Sequence, residues 1–285
     1  MIGDAYELKG VRSKMSKKHP EGVERHGLKK CKDCGKQFTV RMGTIFESSH
    51  VKLNLWLQAI YFMTSSQKGI SSHQLHRTLG VTLKTAWFMS HRIREAMRSD
   101  NTVDFGSGSG TVEVDAAFIA HKHKKAEGAR GYAHKNAMLT LVERNSGKSK
   151  SFVVENVKAA MLLPILRENI AKEAVIYTDA AKQYSKLKSE FADHDFTTHS
   201  KGEYVKRAKP QVHTNTAESY FSIFKRGMKG IYQHYNKHHL HCYAAEFEFR
   251  YNNRIANGVN DLGRANVALS GVVGKRVLYR DSLGA

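Results

Sequence analysis

The stretch EAVIYTDAAKQYSKLKSEF, from Glu173 to Phe191, constrains the fold most. Val175, Ile176, Tyr177 and Thr178 form an unbroken run of β-formers that ends at Asp179, after which the pattern turns helical. A run of this kind, without alternation, predicts a strand covered on both faces, as in an α/β sheet flanked by helices. Open sheets of this class place ligands at the C-terminal ends of their strands, so Asp179 is a candidate functional group. The alternative is a plain N-cap of the following helix.

The neighbouring segments extend this pattern. TVEVDAAFI, Thr111 to Ile119, alternates over its first half and predicts a strand carrying Asp115. NAMLTLVERNSGKSKSFVVENV predicts two strands joined at Asn145-Ser146-Gly147, and AAMLLPILRENIAKE a helix. A short strand near Phe196 to His199 and a basic loop lead to HTNTAESYFSIFKRGMKG, His213 to Gly230. On a helix, Asn215, Glu218, Ser222 and Lys225 fall within about 80° of one another. Tyr220, Phe221, Ile223, Phe224 and Met228 cover the other side. Alone, that is an amphipathic helix with a solvated stripe.

Together these elements have the order of a ribonuclease-H-like α/β domain, predicted for residues 111–260. Its mixed sheet would bring Asp115, Asp179 and Glu218 together from three elements. Clustered carboxylates repel unless a cation neutralises them. Mg²⁺ suits such oxygen ligands, and two ions about 3.5–4 Å apart promote phosphodiester hydrolysis and strand transfer. Glu218 would close the metal site. Lys225, two turns along the same face, and Arg226 beside it would meet DNA phosphates.

The charge agrees with that chemistry. Lys and Arg number 46 against 26 Asp and Glu, a net +20, spread along 285 residues. Such an excess predicts a polyanionic partner, nucleic acid before an acidic membrane surface. Residues 1–30 contain no apolar leader, and the window Leu53 to Met63, interrupted by Asn54 and Gln58, is too short to span a bilayer. Three cysteines suit a reducing compartment, and a cytoplasmic, nucleoid-associated protein is expected.

Before the sheet region, residues 1–48 are basic and contain Cys31-x-x-Cys34-Gly35, half of a zinc ribbon. His19 and His26 are the remaining potential donors; otherwise the pair is two free thiols, and a complete Zn²⁺ site is not predicted. Residues 49–99 are helical. Within Lys68 to Met97, Ser71 or Ser72 caps one helix, Gly80 makes the turn and Thr82 caps a second. That second helix has an apolar face of Ala86, Met89, Ile93 and Met97. Lys84, Thr85, His91, Arg92 and Arg94 are expected outside it, as in a helix-turn-helix reading the major groove; an ordinary helical hairpin is the alternative. Residues 100–110 read as a linker and 261–285 as a C-terminal tail. HKHKK, His121 to Lys125, is a basic loop or, through His121 and His123, a metal-binding pair. Cys242 reads as a thiol without chemistry.

Over almost its whole length the chain resembles bacterial insertion-sequence transposases of the DDE class, in the group combining a zinc ribbon, a helix-turn-helix and a ribonuclease-H-like catalytic domain. The motifs that carry this are CKDCGKQFTVRMGTIFESSHVKLNLWL, ISSHQLHRTLGVTLKTAWFMSHRIREAM, VEVD, TDAAKQY and HTNTAESYFSIFKRGMKGIYQH with HLHCYAAEFEFRYNNR. The resemblance implies Asp115, Asp179 and Glu218 as the acids, Mg²⁺ or Mn²⁺ as cofactor, and terminal inverted repeats and target DNA as partners of a homo-oligomer. Third positions vary in this group, so Asn215 or His213 stands as an auxiliary. Two features depart from the pattern. The upstream Cys pair is missing, as in a truncated copy or one with a late start codon. Ala116 and Ala117 follow Asp115 where the group tends to have Glu. A repurposed copy that binds specific DNA without cutting it is therefore the alternative.

Overall fold

The computed structural model describes residues 11–12, 24–25, 27–99, 104–121, 132, 134–275 and 277. A five-stranded mixed sheet forms the centre: β1 (Thr111–His121), β2 (Lys135–Glu143), β3 (Ser149–Val154), β4 (Val175–Asp179) and β5 (Asp193–Thr197), in spatial order β3-β2-β1-β4-β5. The first three strands are antiparallel, whereas β4 and β5 add in parallel. This is the mixed sheet expected of a ribonuclease-H-like domain. Gly147, with φ +62°, makes the β2–β3 turn at the expected position.

Seven α-helices accompany the sheet among the described residues: α1 (Leu53–Ser65), α2 (Ser72–Leu79), α3 (Leu83–Met97), α4 (Ala159–Asn169), α5 (Asn215–Gly227), α6 (Leu240–Asn252) and α7 (Asp261–Ser270). The two-residue side-chain period of β1 divides the core. Val112 and Val114 pack on one face with Leu162, Leu163 and Leu166 of α4. Ala117 and Ile119 pack on the other with Tyr220, Phe221 and Phe224 of α5 and Tyr243 and Phe247 of α6. Helix α6 also covers the edge strand, where Ser149 and Ser151 donate backbone hydrogen bonds to Asn252 Oδ1 (2.6 Å) and Glu248 Oε2 (2.8 Å). These bonds satisfy amides that a bare edge would leave unpaired.

A second core joins α1, α2 and α3. Trp56, Ile60, Met63, Leu75, Met89 and Ile93 are all buried in it. The expected caps are present: Ser71 accepts from Gln74 N (3.1 Å), Thr82 from Thr85 N (3.1 Å), and Gly80 adopts φ 66°. Where the expected C-terminal tail is described it is packed, because Ala265, Ala268 and Val272 return to this core. The expected linker is also tied down over residues 104–110. Phe105 is buried, its amide donates to Asn169 O (2.9 Å), and Gly106 N donates to Glu143 Oε1 (2.7 Å). A side chain at Gly106 would come within 2.4 Å of Ala174 Cβ, which explains the glycine.

The helix expected after Asp179 is replaced by two 3₁₀ turns, Lys182–Tyr184 and Leu187–Ser189. Tyr184 and Leu187, three residues apart, both enter the core beneath α4, and three-residue turns satisfy that spacing. No helix among the described residues is long and apolar enough to cross a membrane. His19, His26 and His123 lie outside the described residues, as does the side chain of His121.

Candidate active site

Strands β1 and β4 run in parallel, with Thr111 paired to Val175 and Glu113 to Tyr177. Extending that register by two residues sets Asp115 beside Asp179 on the adjacent central strand. Asp115 shares its strand face with Ala117 and Ile119, the face packed by α5. The third acid, Glu218, lies in the first turn of that helix.

The charges of Asp179 and Glu218 both act on Asp115. The Asp115 carboxyl is pushed up to about 7, first by burial and then by the charges of Asp179 and Glu218. The Ala116 amide, 2.7 Å from Asp115 Oδ1, and the Lys225 charge pull it back. Asp179 is raised by burial as well, against the Ala181 amide and the nearby His199. Its Oδ1 is buried without a hydrogen-bond partner, and the N-cap of the following 3₁₀ turn is Ala181, not Asp179. Three converging carboxylates, one with an orphaned oxygen, fit a hard divalent cation better than a structural cap.

Position comes from Glu113, one strand period before Asp115, whose role the sequence reading missed. Its fully buried carboxylate accepts from Thr216 N (2.9 Å), Ala217 N (3.0 Å) and Thr216 Oγ1 (2.8 Å), and pairs with Arg144 Nε (2.6 Å). The Thr214 side chain does not cap the helix, its hydroxyl lying instead 3.4 Å from His199 Nε2, so Glu113 satisfies the helix-end amides. His199 was also missed. Its Nδ1 lies 3.2 Å from Glu218 Oε1, and its charge acts on Asp179.

The auxiliary candidates fare differently. His213 Nδ1 is 2.8 Å from an Arg144 guanidinium nitrogen and is taken up by the Glu113 cluster. Asn215 is exposed at the start of α5. Lys225 and Arg226 are exposed, with Lys225 among the charges acting on Asp115. Beside Asp179 opens a cleft of about 590 Å³ whose lining includes Lys182, Lys188, Lys206 and Lys209.

On α3 the expectation divides. Lys84 is exposed and Thr85 half-buried, but His91, Arg92 and Arg94 are buried, with 3%, 4% and 1% exposure. Arg92 donates to the carbonyls of Ile45 and Glu47, each at 2.7 Å. Arg94 pairs with Glu246 at 2.7 Å and lies over Tyr243. Burial, with help from the Arg94 charge, pulls His91 down to about 2. The face expected to meet DNA is covered by α6 and by residues 45–47, so these three groups are interior. Cys31 is half-buried and Cys34 exposed, both as free thiols.

Residues 108–252 match the family described as the ISXO2-like transposase domain. A protein in transposable element ISH50 of Halobacterium salinarum is 26% identical over 238 residues, covering 77% of this chain and 76% of that protein. A transposase-like protein of Haemophilus influenzae is 31% identical over 109 residues, covering 37% of this chain and 82% of its own. Among solved structures, the HTLV-2 integrase catalytic core domain in complex with magnesium is 9% identical, with TM-score 0.29 over 50% of this chain and 83% of that one. The BIV integrase core is 14% identical, with TM-score 0.30 over 50% and 82%. Scores this low give the two integrase likenesses no functional weight.

Proposed function

Because the chain belongs to the family of ISXO2-like transposase domains, we propose that it cuts DNA at the ends of an insertion element and joins the freed 3′-OH groups to target DNA. The observation that carries this reading is the meeting of Asp115, Asp179 and Glu218, each acid on a separate element. Asp115 and Asp179 would hold the cation from rigid strands, and Glu218 would complete its shell from α5. Mg²⁺ or Mn²⁺, as a pair of ions, would supply an activated attacking oxygen and a stabilised leaving oxygen.

The protein's own groups do the rest. Glu113 and Arg144 fix the start of α5, and with it the reach of Glu218. His199 lies against Glu218 and orients it. Lys225, Arg226 and the lysines of the cleft beside Asp179 neutralise backbone phosphates, with Lys84 and Thr85 adding contacts from α3. The partners are double-stranded terminal repeats and target DNA, and assembly on DNA brings copies together as a homo-oligomer. The setting is the bacterial cytoplasm, at the nucleoid.

The test is a terminal-repeat duplex incubated with Mg²⁺ or Mn²⁺. Wild type is expected to nick at the element end, and Asp115→Asn, Asp179→Asn and Glu218→Gln to bind equally well without nicking. Specific binding with no cleavage under either metal would leave the chain a DNA-binding protein only.

A further inference from the structure

A second group of potential ligands lies outside the three carboxylates, where α3 crosses α6. His91 comes from the middle of α3, His239 ends a 3₁₀ turn (Lys237–His239), and Cys242 sits in the first turn of α6. Ligand atoms of these three side chains all lie within 4.8 Å of one another. The two rings are 4.6 Å apart between centroids, and Trp87 closes over His91 at 4.3 Å. His91 is 3% exposed, and its Nε2 has no hydrogen-bond partner among the described residues. The thiol also has a fourth donor beside it, His241 Nε2 at 3.2 Å from Cys242 Sγ.

Aromatic packing explains the rings but not the orphaned nitrogen, because buried polar atoms are nearly always satisfied. From this cluster we infer that His91, His239 and Cys242, with His241 as the next donor, form a site for a borderline-soft transition-metal ion such as Zn²⁺. Imidazole and thiolate ligands suit zinc and exclude Mg²⁺, so this site is chemically distinct from the carboxylate set. Zinc bonds of about 2.0–2.3 Å require the ligand atoms to close in by roughly an ångström, within the reach of side-chain rotation. Arg94 brings positive charge into the same interface; Glu246, which it shares with Arg250, and the thiolate formed on metal binding both oppose that charge. The metal would staple α3 of the helical unit to α6 of the sheet unit. On binding, the thiol gives up its proton to solvent and its sulfur bonds the ion.

The experiment uses the full chain carrying Cys31→Ser and Cys34→Ser, stripped with chelator and titrated with Co²⁺. Expected is a sulfur-to-cobalt charge-transfer band that saturates at about one ion per chain and is displaced by Zn²⁺. Cobalt on the three acids gives no such band, so failure of the proposed catalytic reading leaves this result untouched. Adding Cys242→Ser should abolish the band, and His239→Gln, at a less buried position, should weaken cobalt binding at least tenfold. Thermal melts establish that each variant is folded. Absence of the band at stoichiometric Co²⁺, or its persistence in folded Cys242→Ser protein, overturns the proposal.

Discussion

The carboxylate of Glu113 receives both the backbone amide of Thr216, at 2.9 Å, and its hydroxyl, at 2.8 Å. A central strand thereby holds the first turn of the helix that carries Glu218. Removing Glu113 takes the ion-pair partner from the half-buried Arg144 guanidinium, which keeps the carbonyls of Gln211 and His213, and frees the amides at the start of α5. Glu113→Ala should cost about 2–4 kcal/mol in thermal or urea unfolding, since a buried donor left without its acceptor costs about 1–3 kcal/mol. A cost of less than about 1 kcal/mol would mean that α5 is anchored by its apolar face alone.

The buried cluster of Arg94, Arg250, Glu246 and Tyr232 makes a different prediction. Glu246 is fully buried, with Arg94 Nε at 2.7 Å and the Tyr232 hydroxyl at 2.5 Å. Arg94→Ala leaves Glu246 its Arg250 partner, and should lower stability by about 1.5–3 kcal/mol, the worth of a hydrogen bond to a charged group. At temperatures where the variant stays folded, the salt dependence of its DNA binding should be unchanged. A flattened salt slope in folded protein would instead make Arg94 a phosphate ligand.

What was readable in the chain was local. The apolar run before Asp179 and the alternation around Asp115 each located an acid on a strand. The aromatic face of α5 located the third, because a packed face leaves the polar stripe outside. The errors arose where distant segments decide. A helical wheel placed His91, Arg92 and Arg94 off the apolar face of α3, but nothing local reveals that residues 45–47 and α6 cover that other face. Glu113 carried the same period-two signal as Asp115 in VEVD and was passed over. His199, in a short 3₁₀ turn, had no periodicity to mark it.

Exposed cations near the acids should behave unlike the interior ones. Lys225 and Arg226 project from α5, and the Lys225 charge reaches Asp115. Replacing both by Ala should weaken duplex binding with little change in melting temperature. The log–log salt slope should fall by roughly 0.9 for each phosphate that is no longer neutralised. Binding measured from low to moderate salt checks this, and an unchanged slope would place the DNA elsewhere on the surface.

The last prediction concerns Asp115 and pH. Its carboxyl titrates from 3.8 in the unfolded chain to about 7 in the folded one, chiefly through burial. The folded state thus keeps a proton that the unfolded chain releases between about pH 4 and pH 7. Where the native state binds more protons than the unfolded state, stability falls as pH rises. This group therefore costs nothing at low pH, progressively destabilises the fold through that window, and has its full effect above pH 7. Glu248, also pushed up to about 7 by burial, acts in the same direction, so the measurement must be a difference between variants. Without divalent cation, Asp115→Asn should melt higher than wild type at pH 8 and gain progressively less toward pH 4. Saturating Mg²⁺ should narrow the gap at pH 8 by favouring the ionised carboxylate, and should leave the Asn variant nearly unmoved. Parallel melting curves for the two proteins across this range, with or without Mg²⁺, would mean that Asp115 ionises as an ordinary surface acid and holds no cation.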